Sequence, residues 1–92
     1  MTEKYIEKKL REIVSDMGGL AVKFASPYFT GMPDRVVFMP GGKIWFVELK
    51  APGKKTSPRQ DIVHRQLREL GVPIRVVGST VELNEFFKLI EK

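Results

Sequence analysis

The chain has 92 residues, 42% apolar and 29% charged, the proportions of one folded domain over 1–92 rather than of a disordered tail. Sixteen Lys and Arg against eleven Asp and Glu leave a net charge of +5, which points to a polyanionic partner, with nucleic acid first. Cysteine is absent and no apolar run approaches the roughly 18 residues of a membrane span; this excludes a disulfide scaffold, a thiolate nucleophile and a thiolate zinc site, and fits the reducing cytoplasm.

From Thr2 to Met17, the residues Ile6, Leu10, Ile13, Val14 and Met17 recur at three- and four-residue spacings, which predicts an amphipathic helix. Thr2 is its cap and Gly18-Gly19 its stop. Leu20 to Phe24 reads as a short strand, and Ala25 to Pro33 (ASPYFTGMP) as a loop. Asp34 to Met39 and Lys43 to Lys50 are apolar strands joined by Pro40-Gly41-Gly42, a hairpin signal. A basic loop, APGKKTSP, leads to Ser57-Pro58-Arg59-Gln60: a Ser cap, Pro at the first helical position and Gln at the capping-box position. Ile62, Val63, Gln66, Leu67 and Leu70 continue that helix until Gly71. Pro73 to Val77 is a further strand. Ser79 and Glu82 form a second capping box before Leu83, Phe86, Phe87 and Ile90. The order α-β-β-β-α-β-α predicts an α/β (α+β) fold, with a right-handed crossover and a mixed sheet flanked by helices.

The strand KIWFVELK carries the chemistry. Alternation puts Ile44, Phe46, Glu48 and Lys50 on one face and Trp45, Val47 and Leu49 on the other, apolar enough on both to be covered on both sides. A Glu and a Lys leaving an apolar strand together are costly unless they pair or bind something. With the hairpin centred on Gly41, paired positions sum to 82 and Asp34 falls opposite Glu48, with Cβ atoms roughly 5 Å apart. Two carboxylates that close repel, and they call for a cation between them. Mg²⁺ takes one or two carboxylates plus water and phosphate oxygens. The Leu49 carbonyl is a further hard ligand, and Lys50 can aim its ammonium at the same volume. A lone His64 excludes a histidine metal cluster.

Pro33-Asp34, thirteen intervening residues and Glu48-Leu49-Lys50 resemble the PD-(D/E)xK motif of metal-dependent nucleases. More closely, GMPDRVVFMPGGKIWFVELKAPGKKTSPRQ resembles the VRR-NUC family, including its stand-alone phage members, and the likeness extends over essentially the whole chain. The resemblance implies a restriction-endonuclease-like core and a Mg²⁺- or Mn²⁺-dependent, structure-selective DNA endonuclease. It further implies an enzyme of the Holliday-junction-resolvase kind in the cytoplasm of a bacterial or phage-infected cell. Flap or other structure-selective cleavage, and a non-catalytic DNA-binding module with a nuclease-like fold, are the alternatives. A protein-interaction module with a buried ion pair is the third. By resemblance, Asp34, Glu48 and the Leu49 carbonyl hold one or two metal ions and Lys50 acts at the scissile phosphate. Glu7 (or Glu3, one turn earlier) completes the metal shell, and Gln60 is an active-site residue near the lysine.

Each residue has a structural reading too. Asp34 suits a strand-start cap, Glu48 and Lys50 a salt bridge, Glu7 an exposed helix acid among Lys4, Lys8 and Arg11, and Gln60 a capping-box partner of Ser57. Lys54, Lys55, Arg59, His64, Arg65 and Arg68 form a basic run. Beside a phosphodiester site it reads as a phosphate-binding surface rather than merely a solvated face. Tyr28, Phe29 and Met32 admit three readings: base stacking, a subunit contact or closure of the core. A body this small buries only roughly 60–65% of its unfolded surface, and a four-way junction is cut on two opposed strands. Both considerations, with the resemblance, imply a homodimer on branched DNA.

Overall fold

The computed structural model describes residues 2–91. Helix α1 (Glu3–Asp16) starts on Thr2, whose hydroxyl accepts the Tyr5 N–H, and ends before Gly18, which takes φ +84°. Strands β1 (Leu20–Lys23), β2 (Arg35–Met39) and β3 (Lys43–Leu49) form an antiparallel meander. Helix α2 (Pro58–Glu69) then carries the chain to β4 (Ile74–Val77), which pairs with β3 in parallel. Helix α3 (Thr80–Ile90) closes the order. The result is a four-stranded mixed sheet in the order β1-β2-β3-β4, flanked by helices as expected.

The hairpin register is the expected one: Arg35 pairs with Val47, Val36 with Phe46 and Met39 with Lys43. It is made by Gly41 and Gly42, both at positive φ (86° and 76°), a conformation that side-chain-bearing residues adopt at a cost. Alternation sends Val37, Met39, Val47 and Leu49 into one core with Ile6, Leu10 and Val14 of α1 and Leu83, Phe86, Phe87 and Ile90 of α3. Trp45 packs at the edge of this core, its ring perpendicular to that of Phe86 at 6.0 Å.

The other sheet face is only partly covered, contrary to the sequence-based expectation for β3. Helix α2 contacts β4, leaving the row Leu20, Phe38 and Ile44, in register across three strands, 42–58% exposed. Glu48, two steps further along that face, is buried with only 3% of its surface exposed. On this face Glu48 is therefore covered while the apolar end is open. Among the described residues, no helix is long and apolar enough to cross a membrane.

Candidate active site

Three elements meet where β2 begins and β3 ends. Asp34 precedes the first residue of β2, opposite Glu48, and the Leu49 N–H donates to Asp34 Oδ1 at 3.0 Å. That bond fixes the Asp34 carboxylate against the β3 backbone. Its other oxygen, Oδ2, lies 3.1 Å from the Arg35 guanidinium. On Glu48, Oε2 accepts from Gln60 Nε2 at 3.1 Å and pairs with Lys50 Nζ at 3.4 Å. Oε1 is buried without a hydrogen-bond partner.

Burial pushes the Glu48 carboxyl above its ordinary value, and the neighbouring Asp34 charge pushes it the same way. Lys50 and the Gln60 amide oppose both. A buried carboxylate oxygen with no donor is expensive, on the order of 1–3 kcal/mol. A cation beside it removes that cost. No group of three or more His, Asp or Glu side chains that could hold a metal exists among the described residues. The donors available to a cation here would be the two carboxylates with a main-chain oxygen such as that of Leu49, with water and phosphate oxygens for the other positions. This all-oxygen set with few carboxylates fits Mg²⁺ or Mn²⁺ and would not fit a zinc site.

Gln60 makes the expected capping box and a second contact besides. Its Oε1 accepts the Ser57 N–H at 2.9 Å while the Ser57 hydroxyl accepts the Gln60 N–H at 3.1 Å, the complete capping box. The opposite end of the same amide holds Glu48. One side chain thus ties the start of α2 to the end of β3.

Glu7 is held by arginines. Its carboxylate pairs with Arg11 at 3.5 Å and approaches Arg35 at 3.9 Å, and Arg35 in turn contacts Asp34. Glu3 and Glu7 share a cleft of about 250 Å³ with Lys4, Lys23 and Arg35 on the α1 side. Arg35 was not singled out in the sequence, although a signal exists. It alternates with Val37 and Met39, so a buried guanidinium on the core face needs acidic partners.

The basic run divides. Lys54, Lys55 and Arg65 are exposed. Arg59 commits its Nε to Thr30, at 3.2 Å from the carbonyl and 3.3 Å from the hydroxyl, and places its guanidinium over the Phe29 ring. Arg68 reaches the Ile74 carbonyl at 3.4 Å. His64 does not join this surface: it is 1% exposed on the sheet side of α2, one turn after Gln60. Burial first, and the Arg68 and Lys50 charges with it, lower its pKa, while Asp61 acts in the opposite sense. His64 is therefore an interior residue rather than a phosphate contact.

The comparisons place this fold among nuclease domains. The sequence profile of the VRR-NUC domain matches residues 2–81, and the chain belongs to that family. A relative named "Putative nuclease p44", from Acyrthosiphon pisum secondary endosymbiont phage 1, is 49% identical over 77 residues, covering 84% of this chain and 83% of the relative. A solved structure described as a VRR_NUC domain matches with a TM-score of 0.87 and 32% identity, over 98% of this chain and 99% of that one. The structural likeness therefore takes in α3, most of which lies beyond the matched profile.

Proposed function

We propose that the chain, as one domain, is a Mg²⁺- or Mn²⁺-dependent DNA endonuclease selective for branched structures and of the junction-resolving kind, working as a homodimer in the cytoplasm. The observation that carries the metal-dependent reading is the buried, donorless Glu48 Oε1 across from Asp34. Asp34, Glu48 and the Leu49 carbonyl would hold the divalent ion. When bound, the ion would supply Lewis acidity, making a water more acidic and, through a phosphoryl oxygen, the phosphorus more electrophilic.

The chain's own residues do the rest. Asp34 is held in place by the Leu49 N–H and Arg35, and Glu48 by Gln60, so neither carboxylate needs to reorganise. Lys50, 3.4 Å from Glu48, orients the attacking water and offsets the negative charge that grows on the phosphate as the P–O bond breaks in line. No covalent intermediate is required. Lys54, Lys55, Arg59, Arg65 and Arg68 contribute positive charge for the DNA backbone. Glu7, which reaches Asp34 through Arg35, supports the acid cluster from α1.

The test is metal-dependent cleavage of a panel of duplex, flap and four-way DNA, with EDTA and an Asp34→Asn variant as controls. Symmetric cutting of the four-way substrate that stops in EDTA is the expected result. Cleavage that persists in EDTA at the wild-type rate overturns the metal reading.

A further inference from the structure

We propose that Tyr28, on the loop that Asp34 closes, is a stacking platform for an unpaired base, a binding site for single-stranded nucleotides at a DNA branch. The inference rests on the nuclease reading and names the feature of the substrate that the site selects.

Exposure of one aromatic is ordinary and would carry nothing by itself. What distinguishes Tyr28 is that the residue is 99% exposed on a loop whose surroundings are tied down. The loop's base is closed by the Phe24 N–H donating to the Asp34 carbonyl at 2.8 Å, so the loop grows out of the candidate metal ligand itself. Within it, the Phe29 N–H bonds the Ser26 carbonyl at 3.2 Å, forming a turn around Tyr28. On the far side, Arg59 donates to Thr30, and its guanidinium covers Phe29 at 5.5 Å. Gly31 then packs onto α2 so closely that a Cβ would lie 2.8 Å from Val63 and 2.9 Å from the Arg59 carbonyl, at φ +96°. Phe29 is thus the ring used to fasten the loop, and Tyr28 the ring left facing solvent.

The platform is linked to the chemistry from both directions. Asp34 closes the loop's base, and Arg59 is followed in sequence by Gln60, which holds Glu48. An exposed aromatic on a fastened loop, in a chain of net charge +5, suits unpaired bases, because every base offers a π-face whatever its identity. Paired bases inside a duplex have their faces already covered by neighbours. Tyr28 therefore favours DNA with a splayed nucleotide near the cleavage point over continuous duplex.

The experiment uses the full chain in EDTA, so that binding is read without cleavage. A flapped DNA carries 2-aminopurine at the unpaired nucleotide beside the branch, and a continuous duplex serves as reference. Wild type should quench the 2-aminopurine fluorescence. Tyr28→Ala should abolish the quench and weaken flap binding about tenfold while leaving duplex binding within about twofold, as expected from the loss of one stacked base. Tyr28→Trp should restore both. Equal quenching by wild type and Tyr28→Ala overturns the proposal. So does a Tyr28→Ala variant that loses dimer mass in sedimentation, since that makes Tyr28 a subunit contact. A wild type that quenches the probe yet cuts no DNA with Mg²⁺ or Mn²⁺ would instead overturn the nuclease function and leave the platform standing.

Discussion

Gln60 and Glu48 are joined by a hydrogen bond of 3.1 Å between an amide that caps a helix and a carboxylate that ends a strand. The two ends of the Gln60 amide have opposite polarity, which lets a single residue serve the Ser57 N–H with oxygen and Glu48 with nitrogen. The start of α2 and the acid of β3 are therefore one mechanical unit, and substitutions at Gln60 separate its two duties. Gln60→Ala should cost about 1 kcal/mol of stability from the lost cap and lower cleavage as well. Gln60→Glu keeps an oxygen for Ser57, yet brings a third negative charge to Glu48. It should retain most of the melting temperature and lose more activity than Gln60→Ala. Thermal melts beside initial cleavage rates decide the order.

Asp34→Asn and Glu48→Gln should each reduce cleavage to below about a hundredth of wild type, a loss of roughly 3 kcal/mol or more in the transition state. Glu48→Gln should not lower the melting temperature at neutral pH in proportion, because it removes a buried charge whose pKa is already raised. A single-turnover rate near wild type for either variant would remove the metal-ligand assignment.

Lys50→Ala should lower the cleavage rate far more than DNA affinity, since its charge acts where negative charge grows. It also leaves Glu48 with Gln60 as its sole partner among the described residues, so a stability loss of about 1–2 kcal/mol accompanies the change. Binding measured in EDTA and cleavage measured at saturating DNA separate the two effects.

His64 makes stability depend on pH with a defined sign. Its pKa is lowered from 6.5 by burial first, then by Arg68 and Lys50, with Asp61 opposing. The folded chain keeps this imidazole neutral, whereas the unfolded chain takes up a proton below about 6.5. The contribution is thus fully present above the unfolded value and is lost as pH falls through the window down to the folded one. His64→Gln should flatten the fall in melting temperature between about pH 7 and pH 5, compared with wild type. Parallel curves for the two proteins would show that His64 titrates as an exposed residue.

The homodimer is tested by sedimentation equilibrium at micromolar concentration, where about twice the chain mass is expected. A monomer that cuts both strands of a four-way junction symmetrically, at a rate per chain independent of concentration, would rule it out.

Short-range order was legible in the sequence because its causes are short-range. The 3.6-residue spacing of Ile6, Leu10 and Val14, the Ser57 and Ser79 caps and the twin glycines of the β2–β3 turn set elements that the structure reproduces to within about one residue. A two-strand register follows from its turn, so Asp34 opposite Glu48 could be counted from Gly41 alone. What followed from tertiary structure involved α2, whose place depends on the parallel β3–β4 pairing rather than on any local pattern. Only that placement aims the Gln60 amide at Glu48, turns His64 inward while Arg65 stays in water, and draws Arg59 onto Thr30 and Phe29. Likewise, packing α1 against the sheet brought Glu7 to Arg35. A helical period states which residues share a face, but the choice between two neighbouring turns is made by whatever that face meets, and here it meets a sheet assembled from residues 20–77.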